Sequence, residues 1–434
     1  METVLLKNQK KVINAWALYD WANSVYSLVI TSAIFPIYYN SVTTVNGSDV
    51  VHFLGREYKN TALYSYTLSL SFLVIAFLSP LLSGIADYRG NKKSFMKFFC
   101  LLGASACSIL FLFESVDTLW IGIVGFFLAS IGWAGSIVYY NAFLPEIADT
   151  ENQDRVSAKG FAMGYVGSSL LLIFNLLMIM NPELFGITDK SFPARFSFLL
   201  VGIWWVCFAG ITFYFLPEKK YHINYEGNIF MKGFNELAGV WKQLQTQKAL
   251  LIFLCSFFFY NMGVQTVMYV AALFGDKELK LQSDQLIITI LIIQFVAIAG
   301  AYLFSSLSFK FGNLRALMIA IVVWIIICIA AYYTYTSMQF YVVAFIVGMV
   351  MGGIQSLSRS TYSKMLPPTH DHASYFSFYD VCEKIGLVLG TASYGLIEEL
   401  TGSMRNSVVA LITFFVIGLI LLIRIPRKMS VVSG

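Results

Sequence analysis

Twelve apolar stretches, each long enough to cross a bilayer, constrain this chain more than any other feature. A helix needs ~20 mainly apolar residues to span the hydrocarbon. Such stretches fall at 12–37, 61–83, 95–114, 118–143, 157–180 and 195–216, then at 249–274, 285–309, 314–335, 338–364, 374–398 and 405–424. Lipid offers backbone groups no water, so each segment must satisfy its own hydrogen bonds as a helix. The expected fold is an all-α membrane protein: twelve transmembrane helices in two pseudo-symmetric six-helix bundles. The expected division is 1–216 for the first bundle, 217–248 for a linker and 249–434 for the second.

Composition excludes the soluble alternatives. Apolar residues make up 58% of the 434 and charged residues 12%, against about 25% charged in a soluble domain. The net charge of +5 forms no basic stripe with interleaved aromatics, so nucleic acid is not an expected partner. Cys100, Cys107, Cys207, Cys255, Cys328 and Cys382 all fall in apolar runs and none forms a CxxC pair. Neither a disulfide framework nor a zinc site is expected, and no metal or cofactor. The first apolar segment is too long for a signal peptide and reads as a retained span.

An even number of spans puts both termini on one side. Segments on that side carry 21 of the 29 Lys and Arg, the opposite loops 7, and Lys384 lies within a span. The excess of positive charge marks the cytoplasmic face, so both termini are expected there. Within the linker, Phe230, Phe234, Leu237, Trp241 and Leu244 share one helical face. Such a face suits an amphipathic helix at the leaflet surface, or a solvated linker helix. Asn46-Gly-Ser48 reads as a turn.

The halves repeat one another. A shift of 222 residues lays Gly90-Asn91 on Gly312-Asn313, Leu144-Pro145 on Leu366-Pro367 and Gly164 on Gly386. A different shift lays Tyr19-Asp20 on Tyr260-Asn261. Repeats of this kind place a substrate site between the halves near the midplane.

The connection between spans two and three reads Ser83-Gly-Ile-Ala-Asp87-Tyr-Arg89-Gly90-Asn-Lys92-Lys93. It resembles the loop motif of the major facilitator superfamily. Trp16-Ala-Leu-Tyr19-Asp20-Trp21-Ala-Asn23-Ser24, Tyr139-Tyr140-Asn141-Ala-Phe-Leu-Pro145-Glu146 and Gly352-Gly353-Ile-Gln355-Ser-Leu-Ser358-Arg359-Ser360 resemble its vacuole-effluxer-like, autophagy-related branch. The resemblance implies alternating access and efflux or exchange of a small solute such as amino acids, possible coupling to protons, and a monomer in the plasma membrane. It also implies a cytoplasmic gate at Asp87, Arg89, Gly90 and Lys92, with Asp87 meeting the start of span eleven. Met262 stands where this branch often has Asp, which implies a different ion coupling.

Charged groups inside spans cost roughly 2.5–3.5 kcal/mol each and normally face a cavity or a partner. Asp20 is the first candidate, with Tyr19 and Asn23 beside it. Three readings remain open for it: a proton carrier, a grip for a substrate ammonium, or a helix-packing carboxylate. In span eleven, Asp380 and Lys384 are four apart and are expected to pair. Glu383 and Lys384 are adjacent and are expected to face apart. Arg359 is placed near the cytoplasmic end of span ten, as part of the gate and as an alternative partner to Lys384 for Glu383. Trp133, Tyr165, Asn261, Gln265, Gln294 and Gln355 complete the expected cavity, each with helix tying as its alternative. No hydrolase motif or Walker loop is present, so an enzyme is not expected. A receptor or scaffold without flux is the competing class.

Overall fold

The computed structural model describes residues 7–189, 191–217 and 229–426. Lys190, Lys219, Lys220, Arg427 and Lys428 of the charge count lie outside them, as does much of the polar stretch between the halves. The described part of the linker forms a helix, Ile229–Thr246.

Among the described residues, twelve long helices besides the linker helix cross the molecule. The first six are α1 (Lys10–Thr43), α2 (Asn60–Arg89), α3 (Lys92–Ile109), α4 (Leu119–Ala142), α5 (Gln153–Met180) and α6 (Phe192–Phe215). The last six are α7 (Lys248–Leu279), α8 (Ser283–Phe311), α9 (Asn313–Tyr332), α10 (Ser337–Met365), α11 (His372–Thr401) and α12 (Met404–Ile423). Eleven of them are long and apolar enough to cross a membrane. The twelfth, α11, carries Asp380, Glu383 and Lys384, whose charges dilute its apolar surface.

α1 is not uniform. Its residues Tyr26–Ala33 form a π-helical stretch between two α-helical ends. Such widened turns gather at functional sites, and this one borders the cavity described below. The connection from α1 to α2 also holds a hairpin that the apolar pattern does not announce. β1 (Val50–Phe53) pairs antiparallel with β2 (Arg56–Lys59), turning through Leu54 and Gly55 at positive φ. Asn46 and Gly47 form a second tight turn with positive φ, as their sequence implies.

Small residues and buried hydroxyls set the packing. Thr212 of α6 donates to Ala15 O of α1, and Ser256 of α7 donates to Gly418 O of α12. Gly160, Gly164 and Gly167 of α5 lie against α1, where an added Cβ would meet Asp20, Ser24 and Trp21. Between the two sets of six, α2 packs on α11, α5 on α8 and α10, and α4 on α11.

The linker helix is docked on the protein. Gly233, Val240 and Leu244 are buried, whereas Phe234 and Trp241 of the expected apolar face remain exposed. Gly233 and Gly84 of α2 approach so closely that a Cβ on Gly84 would lie 2.3 Å from Gly233 O. Neither position tolerates a side chain without separating the helices.

Candidate functional site

A cavity of about 1150 Å³ lies between the two sets of helices. It opens toward the ends of α1 and α7 and the starts of α6 and α8, through Ile37, Asp276, Ala194 and Leu286. That face is opposite the one holding both ends of the described chain. The π-helical residues Ser27, Leu28, Thr31 and Ser32 form part of its wall.

Most of the polar residues expected at a cavity line this one: Asp20, Asn23, Trp133, Tyr165, Asn261, Gln265, Gln294 and Gln355, together with Glu383. Tyr165 donates to Gln355 Oε1 at 2.6 Å, joining α5 to α10. The amide nitrogens of Asn23 and Asn261 and Oε1 of Gln294 have no protein partner. Tyr19 does not line the cavity. It is fully buried within the first six helices, with its ring 5.2 Å from that of Tyr140. Adjacent residues on a helix point about 100° apart, so Asp20 faces the cavity while Tyr19 turns away. Met262 is buried against Gly386 and Gly390 of α11.

The partner of Arg359 requires a correction. The sequence places Arg359 near the cytoplasmic end of span ten and offers Glu383 as a partner. It lies at the inner end of the cavity, only 3% exposed, and pairs with Asp20 instead. Its Nη1 and Nη2 donate to Asp20 Oδ2 at 3.2 and 3.3 Å. Its Nε donates to Ser157 Oγ at 2.9 Å, Nη2 to Ser157 O at 2.9 Å and Nη1 to Asn141 Oδ1 at 3.3 Å. The guanidinium is also stacked between aromatic rings, 4.2 Å from Phe161 and 4.8 Å from Trp16. Tyr140 OH donates to the same Asp20 oxygen at 2.7 Å. A buried guanidinium persists when its fork of donors is filled, and here Asp20, Asn141 and Ser157, from three helices, fill it. Gly160 makes the room, since a Cβ there would lie 2.5 Å from Asp20 Oδ2. Asn141, Ser157 and Tyr140 were not singled out as site residues. Only the string around Tyr139-Tyr140-Asn141 points to a role for Tyr140 and Asn141, and Ser157 lies outside that string.

The second correction concerns α11. Lys384 Nζ lies 3.3 Å from Asp380 Oδ1, as its spacing predicts, but also 2.8 Å from the adjacent Glu383 Oε1. Side chains of this length curl back along the helix and meet, although their Cβ atoms diverge. Lys384 also lies 4.9 Å from the Trp133 ring centroid and 5.7 Å from that of Phe72.

The face holding the termini is closed by two polar contacts. Asp87, at the end of α2, accepts from the backbone N–H groups of Ala373 and Ser374 at 3.3 and 2.7 Å. These are the first free amides of α11, where the helix dipole favours an anion. Gly90 ends α2 in the left-handed region at φ +63°, which turns the chain into α3. Lys92 pairs with Glu146, which His372 Nδ1 also contacts at 2.9 Å. Arg89 ends α2 beside them.

The other contact was not foreseen. Asp154, at the start of α5, accepts from Ser308 Oγ at 2.8 Å, Asn313 Nδ2 at 2.7 Å and Lys364 Nζ at 2.6 Å. Asp154 looks like any loop-end carboxylate in the sequence, because its partners are 154–210 residues away. Among the described residues no group of three or more His, Cys, Asp or Glu stands close enough to hold a metal ion.

This architecture has known counterparts. Over 96% of this chain and 95% of the other, it superposes on the proton:xylose symporter XylE at a TM-score of 0.73 and 12% identity. It superposes on the major facilitator transporter FucP in its outward conformation at 0.69, covering 96% and 98% of the two chains at 11% identity. Those likenesses concern the fold. In sequence, the chain is 33% identical over 428 residues to the uncharacterized MFS-type transporter YxiO of Bacillus subtilis, spanning 98% of this chain and 97% of that protein. It is 23% identical to autophagy-related protein 22-1 of Penicillium rubens, over 90% and 80% of the two chains. The profile of the family described as "Vacuole effluxer Atg22 like" matches residues 8–433. With a match across almost its whole length, this multi-pass membrane protein belongs to the vacuole effluxer Atg22-like family of major facilitator transporters.

Proposed function

We propose that the protein exports or exchanges a small zwitterionic solute, with amino acids as the class, across the bacterial plasma membrane by alternating access. The two moving bodies are residues 1–216 and 249–434, joined by the linker. The observation that carries this reading is the Asp20–Arg359 pair. It joins the halves at the inner end of a cavity otherwise lined with amides and aromatics. Opening one partner of a buried pair alone costs about 3–5 kcal/mol, because it strands the other charge. A solute with an ammonium and a carboxylate replaces both partners at once, its ammonium on Asp20 and its carboxylate on Arg359. The unpartnered amides of Asn23 and Asn261 supply further donors to the carboxylate end. Substrate therefore breaks the contact between halves at the moment it binds, which is what a solute-gated rocking motion needs.

Purified protein in liposomes, loaded with unlabelled amino acids and assayed for counterflow of labelled ones, tests this. Saturable counterflow that Asp20→Asn abolishes is the expected outcome. No counterflow above protein-free vesicles for any amino acid would reject the substrate class. Tight binding without flux would move the protein to the receptor or scaffold class.

We also propose that the face holding the termini is cytoplasmic, as the distribution of Lys and Arg implies. A cysteine replacing Asn46 should react with an impermeant thiol reagent in intact cells. One replacing Lys310 should not. Both positions are exposed, so accessibility to solvent does not separate them, and the reverse pattern would invert the topology.

A further inference from the structure

The charged groups of the spans do not balance. Asp20 and Arg359 form a neutral pair whose polar atoms are met by Tyr140, Asn141 and Ser157. On α11, two carboxylates share one ammonium. Lys384 serves both Glu383 and Asp380, which leaves one negative charge over. The titratable groups facing the cluster are Tyr139 of α4, Tyr269 of α7, and Tyr379 and Cys382 of α11 itself. Each of these is neutral when it holds its proton, so none supplies the missing positive charge.

The surplus is concentrated at Asp380. Its side chain is 2% exposed, and apart from the Lys384 ammonium 3.3 Å from Oδ1, which Glu383 holds more closely, no group donates to its oxygens among the described residues. Burying two ionised carboxylates on one shared cation is strongly unfavourable, and a proton on one of them neutralises the cluster instead. Glu383 gives the cluster its route to water, because it lines the cavity while Asp380 lies behind it. With two acids sharing one ammonium, and no group of three His, Cys, Asp or Glu close enough to hold a metal among the described residues, the cluster suits a proton.

We infer that Asp380 and Glu383 form a one-proton binding site, loaded from the cavity, at which transport is coupled to protons. A hydronium ion in the cavity gives its proton to a Glu383 carboxylate oxygen and leaves as water. Lys384 then pairs with Asp380 alone, and the cluster is neutral. Release runs the same step backwards. Lys384 also faces Trp133 and Phe72 of the first six helices, so a change in its carboxylate partners acts directly on the contact between the halves. Proton binding stands by itself on this geometry, whereas the coupling clause rests on the transport reading above.

Infrared difference spectra of the purified protein in lipid vesicles, titrated from about pH 4 to about pH 8 around the ordinary carboxyl range, read the site without any substrate. Among the carboxyl bands lost on going to alkaline pH, the wild type should show one carbonyl stretch that belongs to the α11 cluster. Asp380→Asn and Glu383→Gln should each remove or displace that band, and Asp20→Asn should leave it. Glu383→Asp keeps the charge and covers the case in which the neutral variants fail to fold. It should shift the midpoint of the band. A wild type without the band, a band untouched by all three α11 variants, or one lost in Asp20→Asn would overturn the site. For coupling, stimulation of amino-acid counterflow by a pH gradient, read relative to each variant's own counterflow without a gradient, should be lost in Glu383→Gln. Stimulation that persists in Glu383→Gln rejects coupling here. Absence of counterflow in the wild type strikes the transport reading alone and leaves the infrared result to decide the proton site.

Discussion

The two contacts that close the face holding the termini do the same work with opposite chemistry. Between α2 and α11, the anion is Asp87 and the donors are backbone amides at a helix start. Between α5 and the second half, the anion sits at the helix start itself, as Asp154, and the donors are side chains of α8, α9 and α10, including the full charge of Lys364. The repeat does not carry this chemistry over. The position 222 residues beyond Asp87 is Phe309, and that beyond Asp154 is Phe376. What the halves share is the turn. Gly90 and Gly312 both have positive φ, and an asparagine follows each. A repeated backbone thus supplies two places where halves meet, and each place has found its own way to be polar and closed.

The difference sets the size of mutational effects. Asp154→Asn removes a charge-assisted hydrogen bond from Lys364, of the kind worth about 1.5–3 kcal/mol. The population closed on this face should fall relative to the open one by roughly 10- to 100-fold, since 1.4 kcal/mol is tenfold. Spin labels at Glu151 and Lys310, both exposed, should report a longer mean distance. An unchanged distribution would mean that the contact follows closure and does not hold it.

Asp87→Asn should act in the same direction and less strongly. Asparagine still offers an oxygen to the amides of Ala373 and Ser374, and only the interaction of charge with dipole is lost. That interaction is about 0.3–1 kcal/mol at an exposed helix end and about 2 kcal/mol when partly buried. A several-fold loss of the closed state, at unchanged thermal stability, is expected between labels at Lys97 and His370. A larger effect here than for Asp154→Asn would reverse the ranking of the two contacts.

The smallest expected effect distinguishes the two by pH. Burial and the neighbouring Asp371 carboxylate push Glu236 of the linker helix up to about 7. A carboxyl raised in the docked state holds its proton there more tightly than when free. Docking is therefore strongest below the ordinary glutamate value of 4.5 and weakens as pH rises through about 7. Asp371 precedes α11, so the change belongs to the α2–α11 side. Trp241, whose ring lies 5.4 Å from that of Phe378, should change its fluorescence with that midpoint, and Glu236→Gln should flatten the curve. The same dependence in the Glu236→Gln variant would assign the titration to another group.

Most of the scaffold was legible in the apolar runs, because a span must be long, apolar and internally bonded wherever it lies in lipid. α11 shows the limit of that rule: its length and flanks marked it as a span, while its three charges lowered its hydropathy. The site was half legible. Polar residues in apolar stretches pointed to Asp20, Asn23, Gln294 and Gln355, since lipid leaves such groups few places to face. The hairpin at 50–59 lies in the connection between two spans, where no such restriction applies, and no strong turn dipeptide announces its Leu54-Gly55 corner.

By itself, then, the sequence determined that this chain crosses the membrane twelve times in two repeated halves, and which of its helices carry buried charge. Tertiary structure alone decided how those charges combine. Asp20 meets Arg359 across 339 positions of chain, and Asp154 meets Lys364 across 210. Local spacing carries information over one or two helical turns, whereas a pair between halves depends on how two whole bundles dock. A buried carboxylate announces in the sequence that it must have a partner, and only the packed structure says which one.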